Sequence, residues 1–133
     1  MIIDTSVLVA ILKQEPGWKI FARILDSSPG SFISASTYVE LSIVVDRWKN
    51  PTLSSRVDEL IEQFHIVIEP VTPEQARIAR QAYRDYGKGS GHLARLNFGD
   101  CFSYALARVR REPILFKGDD FLHTDLRSAV PEP

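Results

Sequence analysis

The sequence has 133 residues, 44% of them hydrophobic and 25% charged, with sixteen basic against seventeen acidic side chains and a formal net charge of -1. This is the length of one domain, 1–133, able to bury roughly two-thirds of its unfolded surface, and no stretch approaches the 18 or so consecutive apolar residues of a membrane span. The balanced charge neither advertises nor excludes a nucleic-acid partner, the lone Cys101 forbids an internal disulfide, and with no leader-like segment at Met1 a reducing cytoplasm is the expected compartment.

Met1-Ile2-Ile3 is an apolar run that stops on Asp4, followed by Thr5 and Ser6. It reads as a short buried strand that delivers a carboxylate to a sheet edge, where open α/β sheets bind ligands. From Ser6 to Gln14, Val7, Leu8, Ile11 and Leu12 make a helical stripe, broken at Pro16-Gly17. Trp18 to Asp26 repeats the pattern. Ser31 to Ala35 is a second strand leading into a helix over about Thr37 to Lys49, which Asn50-Pro51 closes.

Leu53 to Phe64 forms the next helix, and Ile66-Val67-Ile68 a third strand. Thr72-Pro73-Glu74-Gln75 combines an N-cap, proline at the first helical position and Gln at the third, so a helix runs from there to about Tyr86. Gly87 to His92 is a glycine-rich loop that gathers positive charge with Arg84 and Arg95. Gly99 to about Arg111 is another helix, and Ile114-Leu115-Phe116 a last buried strand before the acidic segment around Asp119 and Asp120. Strands alternating with helices argue a parallel sheet covered on both faces.

Four places carry carboxylates that such a sheet can bring to one edge: Asp4, Glu40, Asp100, and Asp119 or Asp120. Each also has a purely structural reading. Asp4 can cap the first helix, Thr37-x-x-Glu40 fits a capping box, Asp100 suits the positive end of its helix with Asn97 as the cap, and Asp119-Asp120 suits a turn. Glu40 nevertheless lies on a helix that is apolar nearly all round, where a carboxylate is costly without a partner. Two carboxylates about 4 Å apart repel by about 4 kcal/mol at an effective dielectric of 20. A shared site for these acids therefore needs a proton or a cation, and a hard divalent cation with oxygen ligands is the usual answer. With no Cys-His spacing for zinc, and His65, His92 and His123 scattered, Mg²⁺ or Mn²⁺ is favoured, and such sites suit phosphoryl chemistry.

Met1-Ile-Ile-Asp-Thr-Ser6, Ser36-x-x-x-Glu40, Leu96-Asn-Phe-Gly-Asp-Cys-Phe-Ser-Tyr-Ala105 and Phe116-Lys-Gly-Asp-Asp-Phe121 together resemble a PIN-domain ribonuclease of the VapC toxin type. The resemblance spans essentially the whole chain. It implies a three-layer α/β/α sandwich around a short parallel sheet, Mg²⁺- or Mn²⁺-dependent endonucleolytic cleavage of RNA, a homodimer, and a cognate VapB-type antitoxin. Asp4, Glu40 and Asp100 match the family's first three acids, with Asp4 and Asp100 as metal ligands and Thr5 or Ser6 at a supporting position. Either Asp119 or Asp120 serves as the fourth acid, Asp120 fitting a Gly-x-Asp-Phe form, and Asp125 is a further ligand or supports one. Arg84, Lys88, His92 and Arg95 are expected to steer the RNA backbone. The alternative is a non-catalytic PIN-like module that binds protein through its apolar third helix. A haloacid-dehalogenase-like phosphatase fits less well, because Ser6 stands where its second aspartate belongs.

Overall fold

The computed structural model describes residues 1–131. The chain runs β1 (Ile2–Ile3), α1 (Thr5–Lys13), α2 (Trp18–Ser27), β2 (Ser31–Ser34), α3 (Ala35–Asp46), α4 (Pro51–Gln63), β3 (Ile66–Glu69), α5 (Pro73–Tyr86), α6 (Asp100–Arg110) and β4 (Ile114–Leu115). All four strands are parallel, in the order β3-β2-β1-β4. Ile2 stands opposite both Phe32 and Ile114, and Ile3 opposite Leu115.

Alternation along these short strands divides the core in two. Ile3, Ile33 and Leu115 pack with Val7 and Leu8 of α1, Leu41 of α3 and Leu60 of α4. Ile2, Ile114 and Phe116 turn the other way, onto Ala79 and Ala82 of α5 and Ala105 and Leu106 of α6. The sheet thus lies between α1–α4 on one face and α5–α6 on the other, the expected three-layer α/β/α sandwich. Each fully buried Ile, Leu or Val contributes roughly 1.5–3 kcal/mol, which is how strands of two residues hold the centre. No helix among the described residues is long and apolar enough to cross a membrane.

Two helix starts differ from expectation. The third helix begins at Ala35, straight out of β2, so Thr37 lies inside it, 1% exposed, and forms no capping box with Glu40. Ser34 is the N-cap residue, though its side chain makes no cap bond. Asn50-Pro51 opens the next helix rather than merely closing the last one: Asn50 Oδ1 accepts from the amides of Thr52 and Leu53, and Pro51 takes the first turn, where a missing N–H costs nothing.

The strand order positions the site. From β1 the chain moves outward through β2 to β3, then returns to place β4 on the other side of β1. A crevice therefore opens beyond the carboxyl ends of β1 and β4, the switch point where open parallel sheets bind ligands. Asp4 follows β1 there, and the Gly118-Asp119-Asp120 turn lies just beyond β4.

Candidate active site

Asp4 caps α1 and also faces the crevice. Its Oδ2 accepts from the Ser6 amide at 3.1 Å and from Ser6 Oγ at 2.7 Å, and its Oδ1 accepts from Ser103 Oγ at 3.2 Å. Ser6 Oγ in turn accepts from the Lys117 amide at 2.9 Å, which ties the segment after β4 to Asp4. Thr5 Oγ1 donates to Glu40 Oε1 at 3.1 Å. The two hydroxyls after Asp4 thus serve different acids.

Glu40 reaches from α3 to the start of α6 and lies against the backbone of Gly99. A Cβ at position 99 would stand 1.8 Å from Glu40 Oε2, so only glycine admits the carboxylate there. Asp100 and Asn97 cap one another: Asn97 Oδ1 accepts from the Asp100 amide at 2.9 Å, and Asp100 Oδ2 accepts from the Asn97 amide at 3.0 Å. Capping and a place in the acidic cluster therefore coexist at Asp4 and at Asp100.

Asp4 and Asp100 are buried, 7% and 8% exposed, whereas Glu40 is half-buried and Asp119 and Asp120 are exposed. Burial pushes Asp100 up to about 7, and the charges of Asp4, Asp120 and Glu40 push the same way against the Asn97 amide. Burial also raises Asp4, against the hydrogen bonds from Ser6, Ser103 and the Thr5 backbone, and raises Glu40, to which the charge of Asp4 adds. Of the pair after β4, Asp120 is the one whose charge is felt at Asp100.

Other expected residues lie elsewhere or are already engaged. Asp125 is not gathered into this cluster: its carboxylate accepts from Tyr104 Oη at 2.7 Å and Arg108 Nη1 at 2.6 Å, an ion pair on the outward side of α6. His92 accepts from the Ala94 amide at Nδ1 and packs edge-on to Tyr86, so it serves the loop's own fold. That loop is fastened by Lys88 N–H to Leu96 O and Leu96 N–H to Tyr86 O, at 2.9 and 2.8 Å. Arg84, Lys88 and Arg95 are exposed around it. Cys101 is buried, its thiol pushed up to about 11 chiefly by burial, and donates to Asn97 O.

The donor set suits a hard divalent cation. It consists of carboxylate oxygens with hydroxyl support, two of the acids are buried, and their mutual repulsion is what a cation would relieve. Among the described residues no three His, Cys, Asp or Glu side chains already converge as an ion cage. Asp4 and Asp100 are the members whose burial demands a counter-charge, so they are the residues that would hold one.

The roles of Gly99 and Ser103 escaped the reading from sequence, and Thr37 was read there only as a helix cap. Ser103 and Thr37 are each 1% exposed, with their hydroxyls 3.2 Å apart. The only hint in the sequence was polar residues placed on otherwise apolar helix faces.

Residues 1–126 match the PIN domain. The chain is 54% identical to ribonuclease VapC42 of Mycobacterium tuberculosis over 129 residues, 97% of this chain and 98% of that protein. Its fold is similar to the crystal structure of M. tuberculosis VapC20, a toxin that cleaves the sarcin-ricin loop, with a TM-score of 0.73 and 18% identity over 94% of this chain and 95% of that one. It is similar also to a chain of a toxin-antitoxin complex from Klebsiella pneumoniae, with a TM-score of 0.69 and 17% identity over 93% and 92% of the two chains. With the family match over residues 1–126 and 54% identity over nearly the full length of both proteins, the chain belongs to the PIN-domain family, among the VapC ribonucleases.

Proposed function

We propose that this chain is a metal-dependent endoribonuclease that acts as the toxin of a toxin-antitoxin pair. The observation that carries the reading is the mutually repelling set of buried Asp4 and Asp100 and half-buried Glu40, with Asp120 at its edge, in a chain of the VapC ribonuclease family. Asp4 and Asp100 would hold Mg²⁺ or Mn²⁺. When bound, the ion supplies charge neutralisation and Lewis acidity to an RNA phosphodiester. Glu40, oriented by Thr5 and raised above its ordinary value by burial, takes the proton from the attacking water. Asp120 completes the cluster from the segment after β4, while Arg84, Lys88 and Arg95 draw the RNA backbone toward the crevice.

The expected partners are a VapB-type antitoxin, which the shared fold with the Klebsiella complex supports, and a second copy of the chain. Val39 and Ile43, 53% and 49% exposed on α3, give the homodimer an apolar contact beside Glu40. The test is cleavage of single-stranded RNA by purified protein freed of antitoxin. Cleavage that a chelator abolishes and Mn²⁺ restores supports the reading, and cleavage indifferent to the chelator refutes it.

A further inference from the structure

Asp4 is gripped on both carboxylate oxygens, and one grip comes from far along the chain. Ser103 Oγ, on α6, lies 3.2 Å from Asp4 Oδ1 and 3.2 Å from Thr37 Oγ1 on α3. With Ser103 and Thr37 each 1% exposed, bulk water offers no substitute partner.

The direction of this chain of hydroxyls follows from its end. An ionised carboxylate only accepts, so the Ser103 proton points at Asp4, and the Ser103 oxygen then accepts the proton of Thr37. Acceptor positions can be counted in the same way. Oδ2 receives two donors from Ser6, its amide and its hydroxyl. Oδ1 receives one, from Ser103. The Thr5 amide adds the smallest of the hydrogen bonds to this carboxylate, so Ser103 is the donor that reaches it from outside the Asp4–Ser6 segment. The terminal torsion of Asp is broad, and without Ser103 the carboxylate would be held only by its sequence neighbours Thr5 and Ser6.

We propose that Ser103, aligned by Thr37, is a positioning residue that fixes the orientation of the Asp4 carboxylate for binding a divalent cation. The inference rests on the metal-site reading above. Residues that orient a ligand in this way typically carry about 10–100-fold of metal affinity.

The experiment is calorimetric titration of Mn²⁺ into the full-length protein, wild type against Ser103→Ala, Thr37→Val, Thr37→Ser and Asp4→Asn, with thermal unfolding of each. Thr37→Val keeps the shape and loses the hydroxyl; Thr37→Ser keeps the hydroxyl and loses a methyl. The expected result is about tenfold weaker Mn²⁺ binding in Ser103→Ala, a smaller loss in Thr37→Val, and recovery of most of that loss in Thr37→Ser. If Ser103→Ala fails to fold, the two Thr37 variants decide the matter. Folded variants that bind Mn²⁺ like the wild type overturn the positioning role alone, as does a Thr37→Ser variant as weak as Thr37→Val, which would mark Thr37 as packing. Wild-type protein that takes up no Mn²⁺, or uptake unchanged in Asp4→Asn, overturns the metal site and the positioning role with it.

Discussion

Gly99 shows how much one missing methyl group decides. The Glu40 carboxylate occupies the space of its absent Cβ, and Gly99 itself has helical dihedrals that any residue adopts. Space, not backbone freedom, makes the position glycine. Since the clash falls on the free end of a flexible side chain, Gly99→Ala is expected to fold with a thermal midpoint near the wild type while displacing Glu40, and to lose about tenfold or more in cleavage rate. Kinetics alongside thermal unfolding separates the two effects. Asp100 makes a prediction in pH. Its carboxyl is raised from 3.8 to about 7, chiefly by burial, so between those values the folded chain binds more protons than the unfolded one. Its stabilising contribution is therefore full below about pH 3.8 and lost as pH rises through 7. The metal-free protein should lose thermal midpoint across that window, and Asp100→Asn should raise the midpoint at pH 8 by about 5 °C. Added Mn²⁺ should stabilise the wild type more at pH 8 than at pH 5. A flat profile for the metal-free wild type would contradict the burial of Asp100.

The helices were largely legible because each carries its own apolar period and local breakers. Their starts were less so. Thr37 carries the signature of a cap, but β2 turns directly into α3, and burial hands its hydroxyl to Ser103 instead. Asn50 is a local cap of the ordinary kind. Asn50→Ala is expected to cost about 1 kcal/mol of stability with no change in cleavage, measured by denaturant unfolding beside the assay. Local context offered each carboxylate only a capping or turn role, and it was the family resemblance of the motifs around them that grouped Asp4, Glu40 and Asp100. Ser103 and Gly99 were not legible, because their meaning lies in contacts with Asp4 and Glu40, remote in sequence. Asp125 differs in the opposite way. Its motif context suggested a ligand or a support for one, and the structure engages its carboxylate with Tyr104 and Arg108.

At the scale of the whole molecule, alternating elements announced a parallel sheet but not its order. The return of β4 to the free side of β1 depends on pairing between the two ends of the chain, and it is this return that brings the Asp120 segment to Asp4 and Asp100. Val39→Asp with Ile43→Asp should shift the protein from dimer to monomer in sedimentation. Changing Arg84, Lys88 and Arg95 together to Gln should lower the salt slope of single-stranded RNA binding by about 2, whereas an unchanged slope would remove these residues from the RNA path. The most direct test of the central claim is the Mn²⁺ dependence of RNA cleavage by wild type and Asp4→Asn. The account predicts saturable activation in the wild type and at least about 100-fold lower activity in the variant; an Asp4→Asn protein that cleaves like the wild type would contradict it.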